Sequence, residues 1–260
     1  MEPKNYLSKE IALVAFIAVA VTIFLLVKIS HFSSEIEVAH AAGLTYYVAT
    51  SGSDSNAGTL SAPFRTIQKA VNTAGVGDTV IVRGGTYTPI KFGKSATQSQ
   101  PFVIRAYPNE RPIIDASSGG DRGIEISSGS SWIVIEGFEI KNASQEGIKY
   151  YDTNNVTIRK NIIHHNANHG ILGSGGSNPT LEGNIIHNNG LFCQRCIDRD
   201  SDINWWHHGA YMDGTNGRAN NNIFYENAAF GLQLSGSNTT NWIIANNTFA
   251  NQKDNSGLIF

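Results

Sequence analysis

The sequence predicts an all-β fold, a solenoid of stacked parallel strands, with a short helix at its N-terminal end and an apolar segment ahead of that. Three observations carry this expectation. First, one pattern of short apolar runs recurs and closes each time on a glycine: Gly147, Gly170, Gly209, Gly231 and Gly257, at steps of 23, 39, 22 and 26 residues. A period in the twenties built of short runs is the signature of a stacked repeat. Second, the runs are too short for helices and alternate, as in Ile148-Lys149-Tyr150 and Leu232-Gln233-Leu234, which is strand periodicity. Third, the repeated columns hold Ile, Val, Phe and Asn, and leucine is too scarce for a leucine-rich frame.

From the start, residues 11–27 are uncharged and nearly all apolar, after Lys4 and Lys9 and before Lys28. The run is long for a signal-peptide core and slightly short for a spanning helix. Residues 1–28 are therefore read as a signal-anchor or a signal peptide, with a cleavage-like Ala39-His40-Ala41, and residues 29–44 as a tether. Either reading places the rest outside the cytoplasm. Residues 45–78 form the N-terminal cap. Within it, Phe64, Ile67, Ala70, Val71 and Ala74 share one helical face, with Pro63 at the first helical position and Gly75 as the stop. Coils run over residues 79–260, starting at Thr79.

Coils stack at about 4.8 Å, so like residues pile into ladders. Ile140, Ile163, Ile186, Phe224 and Phe249 are expected in one inner apolar stack. Asn161, Asn184, Asn222 and Asn247 are expected in an Asn ladder at a turn, with Phe138 in that column one coil earlier. The long step before Gly209 marks an insertion at residues 191–207. The last coil ends at Phe260 in mid-strand without a polar cap, which suggests that further coils follow in a longer protein. Net charge is −2 and no basic run is present, which argues against a nucleic-acid partner.

The pattern resembles the right-handed parallel β-helix of the pectate-lyase-like superfamily over residues 45–260. The specific part is the opening, with Tyr46-Tyr-Val-Ala-Thr-Ser-Gly-Ser-Asp-Ser-Asn-Ala-Gly58, then Ala62-Pro-Phe-Arg-Thr-Ile-Gln-Lys-Ala-Val71, then Gly77-Asp-Thr-Val-Ile-Val-Arg-Gly-Gly-Thr-Tyr87. It is similar to the start of exported β-helix proteins that include family 9 polysaccharide lyases. The resemblance implies an acidic polysaccharide as partner, a lysine base, and calcium held by aspartates.

Positions two and four after each closing glycine should point outward. They are Lys149 and Tyr151, Leu172 and Ser174, Tyr211 and Asp213, and Gln233 and Ser235. Glu146, His169 and His208 precede the glycines and should form a neighbouring column, together making a shallow face of aromatic and ionisable groups. Such faces suit sugars. β-Elimination on a uronate needs a base and a way to neutralise the carboxylate. Lys149 is the outward lysine for that role; His169 or His208 as base with Tyr211 as acid is an equally writable scheme. Glu146, Tyr151, Trp205, Trp206 and Gln233 are the candidate substrate contacts. A hydrolase would need a carboxylate pair, and Asp152 and Asp213 lie two coils, about 10 Å, apart.

The insertion carries Cys193 and Cys196, Asp198, Asp200 and Asp202, and Trp205-Trp206-His207. A local disulfide is the default for the two cysteines in an exported chain; zinc ligation with His207 or His208 competes with it. The three aspartates, with Asp213, are candidate calcium ligands, although the run is no EF-hand. Two other readings stand beside the lyase: a non-catalytic glycan-binding or envelope protein, and a metal-handling β-helix resting on Cys193, Cys196, His164, His165, His207 and His208.

Overall fold

The computed structural model describes residues 43–191, 207–253 and 256–260. Among the described residues twenty-two strands form three parallel sheets. Sheet A has the order β1 (Thr45–Val48), β2 (Thr79–Val82), β5 (Phe102–Ala106), β8 (Ser131–Glu136), β11 (Asn154–Arg159), β14 (Thr180–Glu182), β17 (Arg218–Asn220), β20 (Ile243–Ala245). Sheet B has the order β21 (Thr248–Ala250), β18 (Ile223–Tyr225), β15 (Ile185–His187), β12 (Ile162–His164), β9 (Glu139–Lys141), β6 (Pro112–Asp115), β3 (Gly85–Tyr87). Sheet C has the order β22 (Leu258–Ile259), β19 (Leu232–Leu234), β16 (Ala210–Met212), β13 (Ile171–Ser174), β10 (Ile148–Tyr151), β7 (Ile124–Ile126), β4 (Ile90–Phe92). The chain visits the sheets cyclically, as in β10 (Ile148–Tyr151) in C, β11 (Asn154–Arg159) in A, β12 (Ile162–His164) in B and β13 (Ile171–Ser174) back in C. The result is a parallel β-helix, one three-sided coil per sequence repeat.

The register follows the sequence columns. Ile140, Ile163, Ile186, Phe224 and Phe249 pair successively in sheet B, and the first four are fully buried. Phe224 and Phe249 stack at 5.0 Å. In sheet C, Ile148, Ile171, Ala210, Leu232 and Leu258 are partners. Alternate side chains of these strands, such as Ile148 and Tyr150 in β10, thus point into a continuous apolar core, and the residues between them point out.

Each coil turns its corners on residues with left-handed backbone, a conformation that Asn tolerates better than most residues. Between sheets A and B these are Gly137, Lys160, Gly183, Asn221 and Asn246. The residue after each builds the expected Asn ladder. Asn161, Asn184, Asn222 and Asn247 each accept, through Oδ1, the backbone N–H of the equivalent residue one coil earlier, beginning with Phe138. A second ladder, not anticipated from the sequence, stands five residues further on. There Asn166, Asn189, Asn227 and Gln252 accept the N–H of Ala143, Asn166, Asn189 and Asn227.

These ladders close polar groups that a dry corner would otherwise strand. Asn184 is fully buried, donates to Ile158 O at 2.8 Å and to Asn222 Oδ1 at 2.9 Å, and accepts from Asn161 N–H at 3.0 Å. Asn184→Ala leaves a buried donor and a buried carbonyl without those partners, so unfolding in urea is expected to show a loss of about 2–4 kcal/mol. A loss under about 0.5 kcal/mol would show that the ladder is not stabilising.

The N-terminal end differs in two ways from the sequence expectation. Helix α1 spans Ile67–Thr73, and Thr66, not Pro63, starts it: Thr66 Oγ1 accepts the Lys69 N–H at 3.1 Å. The three preceding residues stay out of the helix: Phe64 bridges to Val48, and Asp54 Oδ1 accepts the N–H groups of Arg65 and Thr66, each at 2.9 Å. In addition, β1 (Thr45–Val48) pairs in parallel with β2 (Thr79–Val82), so sheet A begins within the segment assigned to the cap. The buried face of α1, Ile67, Ala70 and Val71, joins the core. Among the described residues no helix is long and apolar enough to cross a membrane; the apolar run at residues 11–27 lies outside them.

Candidate functional site

The outer face of sheet C collects the predicted residues on β10, β13, β16 (Ala210–Met212) and β19 (Leu232–Leu234). The closing glycines set the geometry. Gly147, Gly170 and Gly209 each sit against the carbonyl of the next one, and a Cβ there would fall 2.5–2.6 Å from that oxygen. Only glycine lets the coils stack this closely, so the residues on either side of each glycine come into line.

After the glycines, one outward column runs Lys91, Glu125, Lys149, Leu172, Tyr211 and Gln233. The Lys149 ammonium lies 4.7 Å from the centre of the Tyr151 ring, and Tyr151 is 41 % exposed. Glu125, which pairs in register with Lys149, is already bound to Lys91 at 2.7 Å and to Arg122 at 3.3 Å. Among the described residues Lys149 enters no salt bridge.

Before the glycines, Glu146, His169, His208 and Phe230 align, because the N–H of each closing glycine donates to the carbonyl of the next coil's column residue. The expected open face is partly closed here: Glu146 and His208 are only 5 % and 2 % exposed. Glu146 is gripped by Arg122, whose Nε donates to Oε2 at 3.0 Å while its other nitrogens reach Glu125 and Gln145. Arg122 was missed in the sequence, although Arg122-Gly123-Ile124 repeats the closing pattern one coil earlier.

The histidines form a stack. His169 and His208 ring centres are 5.2 Å apart, His208 and Phe230 5.1 Å, and Tyr211 lies 5.5 Å from His169 and 6.0 Å from His208. Their Nδ1 atoms are spent on the backbone. The His208 N–H donates to His169 Nδ1 at 3.0 Å, and the Phe230 N–H donates to His208 Nδ1 at 3.2 Å. A neutral ring that accepts at Nδ1 carries its proton on Nε2. Burial holds both rings neutral: it pushes His208 down to about 4, with the nearby His207 adding to the effect, and it pushes His169 well below the usual range, helped by His208, His207 and Lys149.

Asp213 accepts from Ser174 Oγ at 2.8 Å and from the Gly175 N–H, so both its oxygens already serve the turn. Asp152 faces Ser128 Oγ at 3.5 Å. Among the described residues no three His, Cys, Asp or Glu side chains gather to hold a metal ion. The described part of the site therefore does not fit calcium by itself. Cys193, Cys196, Asp198, Asp200, Asp202, Trp205 and Trp206 lie outside the described residues, so neither the calcium nor the disulfide expectation is tested on them. His207 is described; its ring packs edge-on to His169 at 5.4 Å.

Comparison with known proteins places this geometry. Residues 46–194 match the family model described as "Pel9A-like, right handed beta helix region". Pectate lyase PEL9 of Emericella nidulans is 53% identical over 72 residues, covering 26% of this chain and 18% of that protein. Pectate lyase L of Dickeya chrysanthemi is 29% identical over 147 residues, covering 51% and 34%. Among solved structures, pectate lyase Pel9A superposes with a TM-score of 0.62 at 23% identity, over 78% of this chain and 52% of that one. The chain thus spans about a third or less of the length of these two curated relatives.

Proposed function

The chain belongs to the Pel9A-like right-handed β-helix family, and from that premise we propose that it acts as a polysaccharide lyase on an acidic, uronate-containing glycan at the outer face of sheet C. The single observation that carries the reading is Lys149: an outward lysine in no salt bridge among the described residues, beside the exposed Tyr151 ring and in register with Tyr211.

The chemistry follows from this arrangement. The Lys149 amine, in its neutral form, takes the proton from the ring carbon next to the uronate carboxylate. The electron pair left behind forms a carbon–carbon double bond as the bond to the glycosidic oxygen breaks, and that oxygen leaves with a proton. The alternative of a histidine base is weaker, because the Nδ1 lone pairs of His169 and His208 face backbone N–H groups and each Nε2 carries the proton. In this reading the two rings are donors: the half-buried His169 offers its Nε2–H to a substrate oxygen, and His208 supports it from below. Tyr151, Tyr211 and Gln233 present the rings and amide against which sugar residues stack and bond. Glu146, spent on Arg122, holds the loop and does not touch substrate. Asp198, Asp200 and Asp202 stay the candidate calcium ligands, outside the described residues, and no step here depends on calcium. The N-terminal apolar run supports an extracytoplasmic location, anchored or released.

The test is incubation with a panel of uronate polysaccharides, with calcium and with chelator, while absorbance of the unsaturated product is followed. A rise supports elimination, and its loss in chelator adds a calcium requirement. Binding to a uronate glycan with no unsaturated or hydrolysed product would instead support the non-catalytic glycan-binding reading, which the burial of Glu146 and His208 favours.

A further inference from the structure

On the outer face of sheet B, away from the site above, two imidazoles meet nitrogen to nitrogen. His164 ends β12, and His165 follows in the left-handed conformation with φ 55°. Equivalent corners in other coils carry Asn142, Asn188, Glu226 and Asn251, all with positive φ. The Nδ1 atoms of His164 and His165 are 2.6 Å apart. A contact this short between two ring nitrogens contains a proton, donated by one and accepted by the other. The surroundings decide which. His164 Nε2 lies 3.4 Å from Glu139 Oε1, an oxygen that can only accept, so the His164 proton sits on Nε2 and its Nδ1 offers a lone pair. Glu139 is held in turn by Lys141 at 3.0 Å.

The His164 ring is also fixed in plane. It stacks on His187 at 4.8 Å and 11°, and His187 stacks on Tyr225 at 4.5 Å and 4°. His187 Nδ1 is occupied by Asn188 Oδ1 at 2.6 Å. A carboxylate behind a histidine, setting its tautomer and ring direction, is the support that metal-ligating histidines usually have.

We propose that His164 and His165 form a two-nitrogen chelate for a late first-row divalent ion, Zn2+ or Cu2+, through their Nδ1 atoms. The ion takes the place of the shared proton, which moves to His165 Nε2, so both rings stay neutral and both Nδ1 lone pairs face the metal. Metal–nitrogen bonds of about 2.0–2.1 Å require the nitrogens to part to roughly 3 Å, a small rotation of two rings at a surface corner. Imidazole nitrogen suits these ions and not calcium, which takes oxygen. Since no three donors gather among the described residues, water completes the shell and the ion exchanges readily.

The experiment titrates chelator-treated full chain with Zn2+ by calorimetry and records the Cu2+ form by electron paramagnetic resonance. His165→Asn reproduces the corner that Asn188 makes one coil later, and His164→Phe keeps a ring stacked on His187 while removing both nitrogens. Each is expected to weaken Zn2+ binding at least tenfold and to remove the two-nitrogen splitting of the Cu2+ spectrum, with circular dichroism unchanged. If one variant melts early, the other decides. Affinity and spectra that persist in both variants would place the ion on other side chains and overturn the proposal, as would an absence of binding in the parent chain.

Discussion

Lys149→Met is expected to lower the rate of uronate elimination by on the order of 10²–10⁴-fold, the usual contribution of a positioned general base. Stability should change by no more than about 0.5 kcal/mol, because the side chain is half exposed and the stem is kept. Lys149→Arg separates two roles. It keeps a cation over the Tyr151 ring and beside the substrate carboxylate, but a guanidinium does not give up its proton at accessible pH. If Lys149 is the base, the arginine variant is as inactive as the methionine variant. If arginine keeps a tenth or more of the activity, Lys149 serves only as a charge and the base lies elsewhere.

The second large effect is a dependence of stability on acid, centred on His208. Burial holds this ring neutral in the folded protein down to about 4, against an ordinary value of 6.5. Between those values the unfolded chain binds a proton that the folded chain does not. Stability is therefore complete above pH 6.5 and is lost as pH falls towards 4, by roughly 3 kcal/mol if the full difference is realised. The structural reason is plain: a proton on Nδ1 would face the Phe230 N–H, donor against donor, 3.2 Å away. Phe230 shows that a benzyl ring fits this column. His208→Phe is thus expected to lower stability at pH 7, by stranding that N–H, while flattening the slope between pH 6.5 and 4. Denaturant midpoints across that range check it; an unchanged slope in the variant would assign the acid sensitivity to other groups.

The register of sheets B and C could be read from the sequence because a β-helix writes each structural column as a fixed spacing. Ile140, Ile163 and Ile186 fall 23 apart and become partners. The outward positions of Lys149 and Tyr211 followed from the same alternation. Burial in the column before the glycines did not follow. Glu146 and His208 sit at positions that the alternation rule does not govern, and their closure depends on Arg122 and on rings from neighbouring coils. The second polar ladder was missed for a related reason. Asn166, Asn189 and Asn227 repeat with the period, but their column opens with Ala143 and ends with Gln252, so it lacks the uniform look of the first. The start of α1 was misplaced because Phe64 makes a strand bridge, a tertiary contact that local helix signals do not register.

The excursion between β15 and β16 has a wider meaning. Ile171 and Ala210 are register partners although 39 residues separate them, while Ile148 and Ile171, separated by 23, pair in the same way. The same parallel pairing thus holds at either separation. Register in this sheet is therefore set by the side-chain columns that meet across neighbouring coils, and not by the length of chain that joins them.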